Sequence, residues 1–142
     1  MIRYEGLFFE EQEELLRSLE IEHLIKPIEN IHITFKYKPS EEEIFDNLVG
    51  REFNILILGR GSDGENSGLI VKLPDELIPF YINETVPHIT TSLNINAKTV
   101  NTKNILDFNK LEMFSTPIPI KGKFGYFIDQ KVSYEKQKNK KN

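Results

Sequence analysis

Strict alternation of apolar and polar residues over positions 31–38 is the feature that most constrains the fold of this chain. Isoleucine, phenylalanine and tyrosine occupy the odd positions, whereas histidine, threonine and lysine occupy the even ones. Because successive side chains of a β-strand point to opposite faces, this pattern predicts a half-buried strand. Other apolar runs predict five further strands, at residues 4–9, 53–58, 69–73, 88–93 and 118–128.

Helical signals are confined to short segments between the predicted strands. Residues 10–22 place leucines along one side of an amphipathic helix. Ser40 followed by Glu43 is a capping box that begins a second short helix. Two more short helices are expected at residues 75–81 and 101–108. Short helices set between strands and hairpins predict an α+β domain built on antiparallel sheet.

The size and composition of the chain suit a single domain. Its 142 residues are 39% hydrophobic and 11% aromatic, which is enough for a real core. No apolar run approaches the roughly 20 residues of a membrane-spanning helix, and no secretory signal is visible. We therefore expect a cytoplasmic protein, in the host cytoplasm if it is viral, without a membrane partner. Cysteine is absent and histidine occurs three times, so no metal or other cofactor is expected.

Positive charge is concentrated at the C-terminal end. The last seven residues contain four lysines and no acid, whereas the rest of the chain has 14 basic and 22 acidic residues, a net charge of −8. An acidic body lacks the basic stripe that duplex DNA requires, so duplex DNA is not an expected partner. We expect residues 1–130 to form one domain, monomeric by default, and residues 131–142 to be a disordered Lys/Asn-rich tail.

A glycine-rich stretch imitates a dinucleotide-binding fingerprint, with glycines at positions 59, 61 and 64. The fingerprint requires a helix to begin at once, because the helix N-terminus holds the pyrophosphate. Here the β-like run at residues 69–71 follows instead. The stretch is therefore interpreted as a hairpin loop, and a nucleotide cofactor is not predicted.

The most informative feature is a repeated tripeptide, His32-Ile33-Thr34 and His88-Ile89-Thr90. Residues i and i+2 of a strand share a face, so each copy presents an imidazole beside a hydroxyl and turns its isoleucine into the core. Two such strands facing each other would surround a small anion with two imidazoles and two hydroxyls.

This combination suits phosphodiester chemistry. One neutral histidine can accept a proton from the attacking oxygen while the other, protonated, gives one to the departing oxygen. His32 and His88 are therefore the candidate catalytic pair, with either assignment of acid and base. The hydroxyls of Thr34 and Thr90 can bind the phosphate and stabilise the charge that develops on it. The alternative interpretation is two strand histidines with purely structural hydrogen bonds.

The paired motifs resemble those of the 2H phosphoesterase superfamily, the LigT-like proteins. The resemblance rests on His32-Ile33-Thr34-Phe35 and Pro87-His88-Ile89-Thr90-Thr91-Ser92 and extends over residues 1 to about 130. It implies a bilobal, pseudo-twofold fold with antiparallel sheets around a central cleft. It also implies a metal-independent phosphodiesterase that acts on a 2′,3′-cyclic phosphate, a 2′,5′-linked oligonucleotide or a cyclic oligonucleotide messenger. Some members are viral enzymes that destroy cyclic nucleotide alarm signals, and a phage counter-defence enzyme fits this pattern.

Two other classes of function stay open at this point. A catalytically silent module could keep the fold and bind an RNA end or a nucleotide, although both motifs are intact. A purely structural interaction domain would leave the paired motifs unexplained.

Four residues around the motifs are candidates for substrate binding. Lys36 and Ser92 extend the faces on which the two motifs lie, and Tyr126 and Tyr4 are candidates for stacking on a base. His23 has no threonine two positions later and is predicted to be a surface or capping histidine.

Overall fold

The structure, a computed structural model, describes residues 1–138. It contains eight strands: β1 (Ile2–Phe8), β2 (Lys26–Pro27), β3 (His32–Tyr37), β4 (Glu52–Ser62), β5 (Asn66–Lys72), β6 (His88–Leu93), β7 (Lys110–Ile128) and β8 (Lys131–Ser133). All of them belong to one antiparallel sheet, ordered β2-β6-β5-β4-β7-β1-β3, with β8 paired to β7. The predicted α+β class with an antiparallel sheet is confirmed, and the strands form a single continuous sheet.

The helices are short. One α-helix, α1 (Glu13–Ser18), is accompanied by four 3₁₀ helices: Glu10–Gln12, Glu41–Glu43, Asp75–Phe80 and Thr99–Asp107. The capping box at residue 40 is confirmed. The helix predicted over residues 10–22 ends early, and the chain turns instead toward β2. Among residues 1–138, no helix has the length and apolar content needed to cross a bilayer.

The main core lies on the inner face of the sheet. Strand alternation decides which side chains reach it. The largest contributors come from β1, β3, β4, β5, β6 and β7: Leu7, Ile33, Phe35, Ile55, Ile57, Leu69, Val71, Ile89, Phe124 and Tyr126. The alternation is confirmed over residues 31–36, where Ile31, Ile33 and Phe35 are fully buried, but Tyr37, predicted on the same face, is exposed. Each such isoleucine or phenylalanine contributes roughly 1.5–3 kcal/mol to stability.

The two ends of the strand order lie next to each other. β2 pairs with β6 and β3 pairs with β1, yet only residues 28–31 separate β2 from β3 along the chain. The Ile28 N–H donates to the Thr91 carbonyl at 3.0 Å, which extends the contact with β6 toward β3. Asn30 makes the turn with a φ of 53°, a left-handed conformation that asparagine tolerates. The two motif strands therefore become neighbours.

The glycine-rich stretch is a hairpin, and the rejection of a dinucleotide fingerprint is confirmed. β4 and β5 pair across residues 63–65, so most of the predicted loop belongs to the strands. The glycines are needed for close packing rather than for flexibility: a Cβ at Gly59 would lie 2.6 Å from the Glu112 carbonyl oxygen of β7. A side chain at that position would push the two strands apart.

The C-terminal segment is more ordered than its composition suggests. β8 begins at residue 131, where the sequence predicted a disordered tail. Asp46 explains why the next residues follow a defined course, because its carboxylate accepts the backbone N–H groups of Gln137 and Lys138 at 2.9 and 2.8 Å. The tail residues 139–142 lie outside the described part of the chain.

Candidate active site

The two motif histidines are held in the same way. Nδ1 of His32 lies 2.8 Å from the carbonyl oxygen of Asn30, and Nδ1 of His88 lies 2.8 Å from that of Val86. Both partners are carbonyls two residues earlier in the chain, and a carbonyl only accepts. Each Nδ1 therefore carries the hydrogen, and each Nε2 of the neutral ring has a free lone pair.

The histidines and threonines of the motifs share the outer face of the sheet. Ile33 and Ile89 are completely buried in the core, so their neighbours on either side project the opposite way. His32 and His88 are half-buried, and a charge on His88 reaches His32 electrostatically. The prediction that each motif turns its isoleucine into the core and its histidine and threonine to the opposite face is therefore confirmed.

Burial disfavours the charged form of both rings. Burial lowers the pKa of His32 from 6.5 to about 4, the Asn30 carbonyl opposes this shift, and the charge of His88 adds to it. Burial also lowers the pKa of His88 below 6.5, against the opposing effect of the Val86 carbonyl. A neutral imidazole can accept a proton, and a bound anion would favour protonation of one ring.

Aromatic rings surround His32, whereas His88 has no ring contact within residues 1–138. Tyr4 stacks on His32 with ring centroids 4.3 Å apart, and its hydroxyl lies 3.3 Å from Nδ1 of that histidine. Phe127 stacks on Tyr4 at 5.0 Å, nearly parallel, and Phe8 lies 5.8 Å from His32. No ring contact joins Phe127 to His32 among the described residues, so the two cover opposite faces of Tyr4. Tyr4 therefore supports His32 and has no free face for a base.

The two threonines of the motifs have different surroundings. No side-chain hydrogen bond of Thr34 exists within residues 1–138, and its carbonyl accepts from Nδ2 of Asn83 at 2.7 Å. The hydroxyl of Thr90 instead donates to Oγ1 of Thr102 at 2.9 Å. The sequence repeat is therefore symmetric, whereas the hydrogen bonding around it is not.

Two of the predicted substrate-binding residues have other partners. Ser92 is 1% exposed; its hydroxyl donates to the Glu20 carboxylate at 2.9 Å and accepts the Leu24 N–H at 3.0 Å. That corrects its assignment to the site, since no free polar atom is left to meet a substrate. Lys36 is half-buried and lies 3.8 Å from Glu43 in an ion pair. His23 is exposed and pairs with Glu20, which confirms its interpretation as a surface residue.

Tyr126 is also corrected, because it belongs to the core. Its side chain is completely buried, it packs edge-on against Phe124, and its hydroxyl donates to Asp46 at 2.6 Å. Phe127, the next residue in β7, points outward, and the sequence pattern places it on the face opposite Tyr126. Alternation distinguished the two faces, but two adjacent aromatics gave no indication of which face is the core.

Replacing Tyr126 by phenylalanine tests this correction. The variant loses a hydrogen bond to a charged carboxylate, so we expect the free energy of unfolding to fall by about 1.5–3 kcal/mol. Substrate affinity should not change, because the ring does not reach the site. Chemical denaturation measures the first quantity and titration of a nucleotide the second. Weaker nucleotide binding without a loss of stability would restore Tyr126 to the site.

The motif histidines line neither of the two cavities identified. One, of about 810 Å³, lies at the far end of β3 and is lined by residues such as Lys38, Ile44 and Ile128. The other, of about 440 Å³, lies beside the β4–β5 hairpin near Asn66 and Phe108. The candidate site therefore lies outside both of these cavities.

No three His, Asp or Glu side chains within residues 1–138 lie close enough together to hold a metal ion. Comparison with protein-family models found no match to this chain, and comparison with curated proteins found none either.

Proposed function

We propose that this protein is a phosphodiesterase of the 2H type that cleaves a nucleotide or RNA-derived phosphodiester by two-histidine acid–base catalysis. The observation that carries the proposal is the matched pair of histidines. His32 and His88 each donate Nδ1–H to a carbonyl two residues earlier, which leaves both Nε2 atoms available on one face. A purely structural role would not require both histidines to carry the hydrogen on the same ring nitrogen.

We assign the general base to His32. Its ring is enclosed by Tyr4 and Phe8, and its lowered pKa of about 4 keeps it neutral at physiological pH. A neutral Nε2 accepts the proton of the attacking hydroxyl, which is either a water or a ribose 2′-hydroxyl. The P–O bond to the nucleophile then forms as the bond to the leaving oxygen breaks.

His88 takes the role of general acid. In the described part of the chain no aromatic ring contacts it, unlike His32, and the negative charge of a bound phosphodiester favours its protonated form. From Nε2 it donates a proton to the leaving oxygen, so each turnover moves one proton onto His32 and one off His88. Thr34 has a free hydroxyl that can donate to a non-bridging oxygen, where negative charge accumulates.

The substrate classes are those that the family resemblance suggests. They are a 2′,3′-cyclic phosphate end, a 2′,5′-linked oligonucleotide and a cyclic oligonucleotide messenger, the last of which would suit a viral or phage counter-defence enzyme. Phe127, which stacks on Tyr4, is the aromatic residue that we assign to stacking on a base.

The decisive experiment is an assay of the purified protein with EDTA against a panel of these substrates. The panel contains 2′,3′-cyclic mononucleotides, 2′,5′-oligoadenylate, and cyclic di- and trinucleotides, with a His32→Ala/His88→Ala protein as the control. Cleavage that disappears in the control supports the proposal, and the preferred panel member identifies the class of phosphodiester that the protein cleaves. Binding without cleavage of any panel member would favour the silent binding module instead.

The pH dependence follows from the two lowered pKa values. In the free enzyme kcat/KM requires His32 to be neutral and His88 to be protonated. The rate should therefore rise through about pH 4 and fall through the pKa of His88, which lies below 6.5. We expect a bell-shaped profile with its maximum below pH 6.5. A flat profile between pH 5 and 8, or a maximum above pH 7, would contradict this mechanism.

A further inference from the structure

Thr90 is connected to a buried polar network that the two motifs do not include. Thr102, in the 3₁₀ helix Thr99–Asp107, accepts the Thr90 hydroxyl at 2.9 Å. The side chain of Asn66 donates to the same oxygen of Thr102 at 3.0 Å and to the Lys98 carbonyl at 2.8 Å. Thr102 is 0% and Asn66 1% exposed. Buried polar side chains that bond each other in this way hold one another in a single orientation.

The fold brings this helix to the motif through a glycine. Gly68 of β5 pairs with Thr90, and a Cβ at position 68 would lie 2.9 Å from Cγ2 of Thr102 and 2.4 Å from the Ile89 carbonyl oxygen. Only glycine therefore allows the 3₁₀ helix to approach β5 and β6 closely enough for the two threonine hydroxyls to bond.

A small apolar cluster fixes the helix over the second motif. Ile105 and Phe108 pack on Ile70, which pairs with His88 in the neighbouring strand. Val86, whose carbonyl accepts from His88, packs against the same cluster. The helix thus supports both members of the second motif, and no equivalent helix supports Thr34 within residues 1–138.

We propose that Thr102, held by Asn66, is a positioning residue for the hydroxyl of Thr90: when a phosphate accepts the Thr90 hydrogen, the bond between the two threonines reverses, and Thr102 donates its own hydrogen to Oγ1 of Thr90. This inference rests on the proposed function. Thr102 is buried behind Thr90 and acts only through it. The hydroxyl of Thr102, rather than its methyl group, carries the effect.

A double-mutant cycle tests the inference. Thr102→Val should lower kcat by about 3- to 10-fold, the effect of one hydrogen bond, and leave KM within about twofold. Thr102→Ser keeps the hydroxyl and should restore kcat to within about twofold of wild type. In a Thr90→Ala background, Thr102→Val should change kcat by less than about twofold, since its only route of action is gone.

Thr91→Val is the matched control. Thr91 is the next residue in β6, is equally buried, and donates one hydrogen bond to the Ser67 carbonyl at 3.0 Å. It points to the opposite face, so its replacement should lower the melting temperature without lowering kcat. An equal loss of kcat in Thr91→Val, the same loss in both Thr90 backgrounds, or failure of Thr102→Ser to rescue would each overturn the inference.

A second readout separates this inference from the proposed function. Three-bond NMR couplings to the Thr90 methyl group report its χ1 angle in the free protein. We expect one rotamer in wild type and Thr102→Ser and averaged rotamers in Thr102→Val. Unchanged couplings in Thr102→Val would refute the positioning role. If the wild-type protein cleaves no phosphodiester, the proposed function fails and the couplings alone decide what Thr102 does.

Discussion

Alanine at either His32 or His88 is expected to lower turnover by about 10²- to 10⁴-fold or more, the range for loss of a general acid or base. His32→Ala removes the group that accepts the nucleophile's proton, and His88→Ala removes the group that protonates the leaving oxygen. Initial rates on the preferred member of the substrate panel measure both effects. Because each ring is half-buried, circular dichroism and thermal melts must accompany the kinetics.

His23→Ala is the matched control for both variants. His23 is exposed, belongs to neither motif, and contacts Glu20 through Nδ1 at 2.6 Å. It should keep turnover within about twofold of wild type. A comparable loss in His23→Ala, or full activity in either motif variant, would contradict the two-histidine mechanism.

A substrate with a p-nitrophenolate leaving group distinguishes the acid from the base. That leaving group departs with little need for protonation, so His88→Ala should lose far less activity on it than on a nucleotide. His32→Ala should lose the same factor on both, because the nucleophile's proton must still be removed. The opposite pattern would exchange the two roles.

Replacing Glu5 by glutamine is expected to change the pH dependence of folding. Glu5 is completely buried at a bulge in β1, and its Oε1 accepts the Phe45 N–H at 3.3 Å. Its other carboxylate oxygen is buried without a hydrogen-bond partner among the described residues. Burial raises the pKa of Glu5 from 4.5 to about 8, against the Phe45 hydrogen bond and with the repulsion of Glu43. The folded protein therefore holds a proton here that the unfolded chain releases.

The direction in which the free energy of unfolding changes with pH follows from proton linkage. The stabilising contribution of protonated Glu5 is complete below about pH 4.5 and is lost progressively as the pH rises to about 8. Glutamine cannot lose a proton, so Glu5→Gln should match wild type near pH 5 and exceed its free energy of unfolding by roughly 2–4 kcal/mol at pH 8. Urea denaturation at a series of pH values measures this difference.

Glu42→Gln provides the comparison for Glu5→Gln, because Glu42 is an exposed glutamate in the 3₁₀ helix Glu41–Glu43. It should leave the pH dependence of unfolding as it is in wild type. Parallel stability curves for wild type and Glu5→Gln between pH 5 and 8 would show that Glu5 does not titrate as proposed.

The strands and the face of the motifs could be predicted from sequence because they depend on local periodicity. Alternation over residues 31–38 assigned Ile33 to the core and His32 to the other face without any knowledge of the partners. The capping box at Ser40 is equally local, since both of its hydrogen bonds form within four residues.

The surroundings of the motifs could not be predicted, because they depend on register and on contacts distant in sequence. Tyr4 reaches His32 because β1 and β3 pair with a bulge, and a single-residue shift would turn it away. Thr102 reaches Thr90 only because a glycine stands at position 68. The carbonyls that accept from the two histidines belong to the backbone, so the identity of the residues that carry them does not predict these contacts.

The contact between the two ends of the strand order has a consequence for how the candidate site forms during folding. β3 and β6 lie near opposite ends of the strand order, and β2, which pairs with β6, is joined to β3 by residues 28–31 alone. Pairings of high sequence separation form slowly, because loop closure costs entropy before the contacts form. The β2–β6 pair joins residues far apart in sequence, so we expect the candidate site to form in a late step of folding, and fraying at this contact to separate the two histidines before the core unfolds.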